Sequence, residues 1–351
     1  MKSSIPKLLH DICGKPMLRW VIDSISNSGV DETLVVISTE LDNSEEIHKM
    51  PVSLISQNIP LGTGHAVQQA NKVLASFEGN LLIVNGDTPA IKPETLSSFV
   101  RHHEASGASI TVMTCNDPPN ENMGLVARND YTDEITAIME FKDENYYVSR
   151  GGEFNVGAYC IKSDFLQAVL GRIPESSTKE FYITRLIEIA CSERLEIGSY
   201  KIEDPLEAMG VNNLLELSKV RNVLQNRINN YWLLNGIDLI EPCYIDVHVY
   251  IDKDCVIYQN TSLKGNTRIG KRSNIGPNSR LLDSLIGPDC NIFESVVEGA
   301  TVKDRVNIGP FSHLRYGSYI ESGVNIGNFA EIKNTIIGKD TLVGHFSYLG
   351  D

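Results

Sequence analysis

Residues 308–332 read IGPFSHLRYGSYIESGVNIGNFAEI, and the spacing within that stretch decides what the second half of the chain can be. Ile308, Leu314, Ile320, Ile326 and Ile332 stand six apart. The beat slips by one residue and resumes at Ile337, Val343 and Leu349, and it can be followed back to about Ile251. A Gly follows the apolar residue at Ile269, Ile275, Ile286, Ile308, Ile326, Ile337, Val343 and Leu349. A helix buries every third or fourth residue, and a plain strand every second. A period of six with small residues beside the apolar one suits short parallel strands wound into a triangular coil. Each apolar side chain then points inward and stacks on its counterpart from the turn below. Such a coil can carry a site or act as a passive spacer, so the period predicts a fold and leaves the function open.

Working outward toward the N-terminus, Asn213 to Leu234 carries Leu214, Leu217, Val220, Leu224, Ile228 and Trp232, mostly three or four apart. That pattern predicts one long amphipathic helix ending before Gly236. It places a connecting helix at 213–235 between a first domain, 1–212, and the coil, 236–351. In the first domain Thr33–Ser38 and Asn80–Val84 are short, nearly continuous apolar runs, as buried parallel strands should be. Helical spacing covers His65–Ser76, Pro93–Ser106 and Glu180–Cys191, and Ser109–Cys115 is another strand. Strands alternating with helices predict an α/β, doubly wound Rossmann-like sheet.

With 351 residues and a formal charge of −14, the chain offers no basic stripe to displace counterions from a nucleic acid. Its seven cysteines are scattered, odd in number and free of any C-x-x-C pair, which predicts thiols in a reducing cytoplasm and neither a disulfide frame nor a zinc site. No run is long and apolar enough for a membrane span.

Two local patterns in the first domain point to nucleotide chemistry. The run Asn80-Leu-Leu-Ile-Val-Asn-Gly-Asp87 is a strand ending in a carboxylate. Ligands of open α/β sheets bind at such strand ends, and Mg²⁺ there takes a few protein oxygens plus phosphate oxygens. By itself Asp87 fits a loop cap equally well. Leu61-Gly-Thr-Gly-His-Ala66 precedes a helix, and its glycines would let backbone amides approach a ligand.

In order and spacing, Ser4-Ile-Pro-Lys-Leu-Leu-His10, Gly14-Lys-Pro-Met17, Gln57, Leu61–Ala66 and Asn85-Gly-Asp87 resemble the sugar-1-phosphate nucleotidyltransferases. The resemblance continues through Gly124, Glu140-Phe-Lys142, Phe154-Asn-Val-Gly157, Glu180–Thr184 and Gly210–Asn213, and it runs on into the coil. The pattern is similar to the bacterial bifunctional UDP-N-acetylglucosamine pyrophosphorylase / glucosamine-1-phosphate N-acetyltransferases. Their coil is a left-handed parallel β-helix.

The resemblance implies roles. Lys7 would contact the nucleotide phosphates as a catalytic residue, while Gln57 and the Gly62-Thr63 backbone would read uracil. Asp87 and Asn212 would hold Mg²⁺. Gly124, Glu140, Asn155 and Asn212 would hold the N-acetylglucosamine moiety. UTP and acetyl-CoA would be substrates. In the coil, His345 would be the general base of acetyl transfer and Glu331 would orient its ring. Arg315 and Lys333 would grip a sugar phosphate, and Tyr348 would bond the substrate.

The family also implies a homotrimer, with no nucleic-acid or membrane partner. Its members open with a strand and a Leu-Ala-Ala-Gly-x-Gly-Thr-Arg-Met loop whose last Met falls at Met1, and they continue past Asp351 through the acetyl-CoA site. An internal Met taken as the start and a degenerate protein are both open, as is truncation at Asp351. On this expectation, segments outside the chain complete both sites. Two other readings compete: a single-function sugar-1-phosphate nucleotidyltransferase with an oligomerising coil, and a catalytically dead homologue.

Overall fold

A computed structural model describes residues 1–120, 122–141, 152–177 and 179–350. Lys142 of the Glu140-Phe-Lys142 motif and Asp351 lie outside the described residues. The chain divides into two compact units, Met1–His10 with Pro16–Val220 and Asp11–Lys15 with Arg221–Asp351. The division falls inside the long helix, between Val220 and Arg221.

The first unit contains, in chain order, α1 (Met17–Ser26), β1 (Leu34–Ser38), β2 (Ser53–Gln57), α2 (Thr63–Gln69), β3 (Asn80–Val84) and α3 (Pro93–Ser106). These are followed by β4 (Ile110–Cys115), β5 (Leu125–Arg128), β6 (Ile135–Met139), β7 (Phe154–Lys162), α4 (Arg185–Ser192) and β8 (Ile197–Lys201). Pro93 opens α3 and Gly107, at φ 70°, closes it, as the fixed φ of Pro and the left-handed freedom of Gly dictate. Strands β1 and β2 pair in parallel as a two-stranded sheet.

The larger sheet runs β8-β4-β7-β5-β6, with β3 also on β7. Its hub is the nine-residue β7, antiparallel to both β3 and β4, so the sheet is mixed where the sequence suggested parallel strands. All six residues of β4 are buried, so both faces of the sheet are covered. Period two sorts them: Ile110 and Val112 join Tyr159 and Ile161 in one core, while Met113 and Cys115 join Ala158 and Cys160 in the other.

Two expected helices are shorter than the sequence suggests: His65–Ser76 is divided between α2 and a separate turn of helix at Asn71–Leu74, and Glu180–Cys191 begins late. Residues 180–184 lie outside α4, the last two in a turn that leads into it, because Phe181 spends its backbone groups on a distant loop: its N–H donates to the Leu61 carbonyl at 2.7 Å, and its carbonyl accepts from the Gly64 N–H at 2.7 Å.

The second unit is the three-sided coil. Strands of two or three residues form parallel sheets of seven, seven and six strands, which fits the left-handed parallel β-helix. The inward residues, among them Ile257, Ile275, Ile292, Ile308 and Ile326, form one continuous core. Outward asparagines mark the turn length. Asn274, Asn291, Asn307 and Asn325 are linked amide to amide at 2.8 Å over separations of 17, 16 and 18 residues. Across the slip in the six-residue beat the inward stack is preserved, since Ile320 pairs with Ile337 and Ile332 with Leu349.

Helix α5 (Leu214–Leu234) contributes its second half to this unit, where Trp232 joins the coil core and Ile228 packs on it. Gln225 donates to the Ile245 carbonyl at 3.1 Å, and Asn229 donates to Glu241 Oε1 at 2.8 Å. The helix thereby covers an end of a repeat array that would otherwise expose apolar side chains. Among the described residues no helix is long and apolar enough to cross a membrane.

Candidate functional site

The Gly-Thr-Gly loop links β2 to α2 and is built against a remote strip. Gly62 sits at φ 99°, where a side chain would be strained, and a Cβ there would stand 2.6 Å from the Phe181 carbonyl oxygen. Thr63 Oγ1 accepts from the Ile183 N–H at 3.1 Å. Gln57, at the end of β2, is buried, and its amide meets His65 Nδ1 at 2.7 Å; the amide of Gln69 meets His65 Nε2 at 3.0 Å. Gln57 is thus positioned by the helix it faces.

Asp87 follows β3, and Asn212 stands just before α5. The two meet because the Val211 N–H donates to the Asp87 carbonyl at 3.0 Å. Lys7 Nζ lies between them, 2.5 Å from Asp87 Oδ2 and 2.8 Å from Asn212 Oδ1. The Asn212 N–H in turn donates to Glu216 Oε2 at 2.5 Å. Two side-chain oxygens therefore converge on a cation, here an ammonium. No group of three or more His, Cys, Asp or Glu side chains suited to a metal occurs among the described residues. A metal at Asp87 and Asn212 would need further oxygens from a ligand, which suits Mg²⁺ and phosphate.

A cleft opens beside this pair. Thr63, Asp87, Gly124, Glu140, Asn155 and Asn212 all line it, so six of the residues expected from sequence share one cavity; Lys7, Gln57 and Gly62 are not in its lining. Glu140 Oε1 accepts from Thr184 Oγ1 at 2.8 Å. Asn155 Nδ2 donates to the Tyr159 hydroxyl at 2.7 Å, and its Oδ1 accepts from the Gly157 N–H at 3.0 Å. Burial pushes the Tyr159 phenol well above its ordinary range, so it stays a neutral partner for Asn155.

Tyr159, Tyr182, Thr88, Asn120 and Glu216 also line the cleft and were missed in the sequence. Asn120 donates to the Gly210 carbonyl at 2.6 Å, a contact 90 residues apart that no local pattern announces.

In the coil, register places Arg315 and Lys333 on successive turns. The Arg315 N–H donates to the Ile332 carbonyl, and the Lys333 N–H donates to the Leu349 carbonyl. His313, Glu331 and Tyr348 stack in the same manner on one sheet. Arg315 Nε pairs with Glu331 Oε1 at 2.6 Å, so Glu331 is engaged by the guanidinium and not by His345.

The orienting contact on His345 comes instead from the backbone: the Asn328 N–H donates to His345 Nδ1 at 2.9 Å. Gly327 leaves room for this, since a Cβ there would lie 2.6 Å from Nδ1. A neutral ring accepting at Nδ1 carries its proton on Nε2. His345 and Tyr348 are both exposed. The sequence also missed Glu298, which meets His313 Nε2 at 3.2 Å and Arg280 Nη1 at 3.3 Å on the same face.

All seven cysteines are free thiols. Burial pushes Cys13, Cys115 and Cys160 up to about 12, and Cys243 and Cys290 up to about 11. Thiols held protonated to that degree are poor nucleophiles.

Residues 1–150 match the MobA-like NTP transferase domain. Over its whole length the chain is 36% identical to the bifunctional protein GlmU of Halalkalibacterium halodurans, covering 78% of that protein. It is 38% identical to the bifunctional protein GlmU of Caldanaerobacter subterraneus subsp. tengcongensis and 34% identical to that of Enterococcus faecalis, again over its whole length and 77% of each relative. With such identity spanning both the sheet unit and the coil, the chain belongs to the family of the bifunctional protein GlmU.

Proposed function

We propose that the chain serves both halves of UDP-N-acetylglucosamine synthesis, with residues 1–212 forming the uridylyl-transfer site, 213–235 the connecting helix and 236–351 contributing to the acetyl-transfer site. The observation that carries the reading is the convergence of Lys7, Asp87 and Asn212 beside a cleft lined by Gly124, Glu140 and Asn155.

In the uridylyl step a phosphate oxygen of N-acetylglucosamine-1-phosphate attacks the α-phosphorus of UTP. The new P–O bond forms as the α–β bridging bond breaks, and pyrophosphate leaves. Such transfers rest on positioning and charge neutralisation, with no covalent intermediate required. Lys7 neutralises phosphate charge, Gln57 and the Gly62-Thr63 backbone hold uracil, and Gly124, Glu140, Asn155 and Asn212 hold the sugar. Asp87 and Asn212 would hold Mg²⁺, which when bound supplies further neutralisation of the phosphates.

In the acetyl step the 2-amine of glucosamine-1-phosphate attacks the thioester carbonyl of acetyl-CoA. The C–N bond forms, the C–S bond breaks and coenzyme A leaves. His345 takes the amine proton. Because its Nδ1 is occupied by the Asn328 N–H, the ring must leave that contact or turn before a nitrogen lone pair faces the amine. Arg315, Lys333 and Tyr348 bind the sugar phosphate.

We further place the protein in the cytoplasm, where seven thiols stay reduced, and propose a homotrimer. Support for assembly comes from one corner of the coil. Asn260, Asn278, Glu294, Phe311, Phe329 and Phe346 occupy it turn by turn in left-handed backbone, and the last three rings stack at 5.2 and 5.1 Å while remaining half or more exposed.

The test measures pyrophosphate release and coenzyme A release separately on the full-length protein. Asp87→Ala or Asn212→Ala should abolish the first and spare the second; His345→Ala should do the reverse. Near-normal pyrophosphate release by Asp87→Ala sinks the cation assignment. Absence of coenzyme A release from the unsubstituted protein returns the coil to an oligomerising role.

A further inference from the structure

We propose that Lys7 is a built-in placeholder for the divalent cation, holding the cation position closed until a nucleotide phosphate draws it away. This rests on the assignment of Mg²⁺ to Asp87 and Asn212. The ammonium of Lys7 donates to the same two atoms that assignment needs, Asp87 Oδ2 at 2.5 Å and Asn212 Oδ1 at 2.8 Å. Mg²⁺ binds oxygen at about 2.0–2.1 Å and keeps most of its octahedral shell of waters. An ammonium hydrogen-bonded to both oxygens stands inside the volume that ion and its waters would occupy, and the two positive charges repel at that separation.

The backbones that carry the two oxygens are held in place without Lys7. Asp87 is tied to Val211 through its backbone carbonyl, and the Asn212 N–H is held by Glu216. Removing Lys7 should therefore leave the ligand pair assembled and more negative. Lys7 can also move, since its side chain is 32% exposed and sits on a four-carbon stem. A triphosphate gives the ammonium an alternative anionic partner, so cation and nucleotide would favour each other's binding. That coupling is reciprocal by linkage.

The experiment titrates the free full-length protein with Mn²⁺ and reads bound ion by electron paramagnetic resonance, with no nucleotide present. Lys7→Met should bind Mn²⁺ about fivefold more tightly or better than the unsubstituted protein, and Asp87→Asn added to Lys7→Met should remove that binding. Circular dichroism and thermal melting confirm that each variant is folded. Equal or weaker affinity in Lys7→Met, with binding still dependent on Asp87, overturns the placeholder and leaves the cation site standing. No Asp87-dependent binding in either protein overturns both. Should Lys7→Met not fold, the unsubstituted protein answers alone: amine labelling of Lys7, read by mass spectrometry, should rise severalfold on adding Mn²⁺, and unchanged labelling overturns the proposal.

Discussion

His103 is fully buried on α3, with Nδ1 2.7 Å from Thr111 Oγ1 on β4 and Nε2 without a hydrogen-bond partner. Burial, with smaller contributions from Lys162 and His102, lowers its pKa to about 4. In the unfolded chain an imidazole titrates near ~6.5. Between those values the unfolded state binds a proton that the folded state refuses, so stability rises with pH across the window. The contribution is complete above about 6.5 and is lost as pH falls toward 4, up to roughly 3 kcal/mol. Urea midpoints at pH 7.5 and pH 5 should differ less in His103→Gln than in the unsubstituted protein; an identical difference would remove His103 from the acid sensitivity. None of this was visible in the sequence. His103 reads there as one polar residue on a helix, and only its burial against β4 gives it a consequence. Asp87 was legible as a strand-end carboxylate, yet its partner Lys7 stands 80 residues away.

At the scale of elements, the Gly-Thr-Gly loop shows what a pattern announces and what it hides. Glycine at position 62 signalled a close backbone approach, but the approaching group, Phe181, sits in a stretch whose spacing suggested helix. Phe181 stays outside the helix because its amide and carbonyl are already bonded to Leu61 and Gly64. Gly62→Ala should force the loop away from Phe181, combining left-handed backbone strain of about 1–2 kcal/mol with a 2.6 Å clash. Uridylyl transfer should fall by about tenfold or more as positioning is lost, with acetyl transfer unchanged as the internal control. Unimpaired pyrophosphate release would show that the clamp is dispensable. In the coil the argument is simpler. Ile292 is fully buried in the inward stack, and Ile292→Ala should lower the coil's denaturation free energy by about 2–5 kcal/mol.

For the whole molecule, the exposed phenylalanine column is the feature with most reach. Elsewhere the left-handed corner positions are largely polar or Gly, as at Asp254, Arg272, Asp289, Arg305 and Gly323 on a second corner. Stacked rings left in water lose the benefit of burial, about 25 cal/mol per Å² of apolar area. Closed symmetry among copies of the coil would recover it. Light scattering should give a trimer for the full-length protein, and Phe329→Ser with Phe346→Ser should shift it toward monomer. A monomeric mass before substitution, or an unchanged trimer after it, would separate this column from assembly.

What the sequence by itself determined was periodic. The six-residue beat specified the coil, the three-to-four spacing specified α3 and α5, and the apolar runs specified β3 and β4. In each, one short-range rule of side-chain direction repeats often enough to overrule competitors. The tertiary structure alone decided which groups meet: Lys7 with Asn212 across 205 residues, Thr63 with Ile183 across 120, and Glu331 with Arg315 in place of His345. It also decided that the sheet is mixed, because the direction in which β7 enters depends on the segments leading to it and not on its own residues. Local spacing fixes the face a side chain presents, whereas its partner is fixed by how loops close and layers pack, and no window of sequence contains both ends of such a contact.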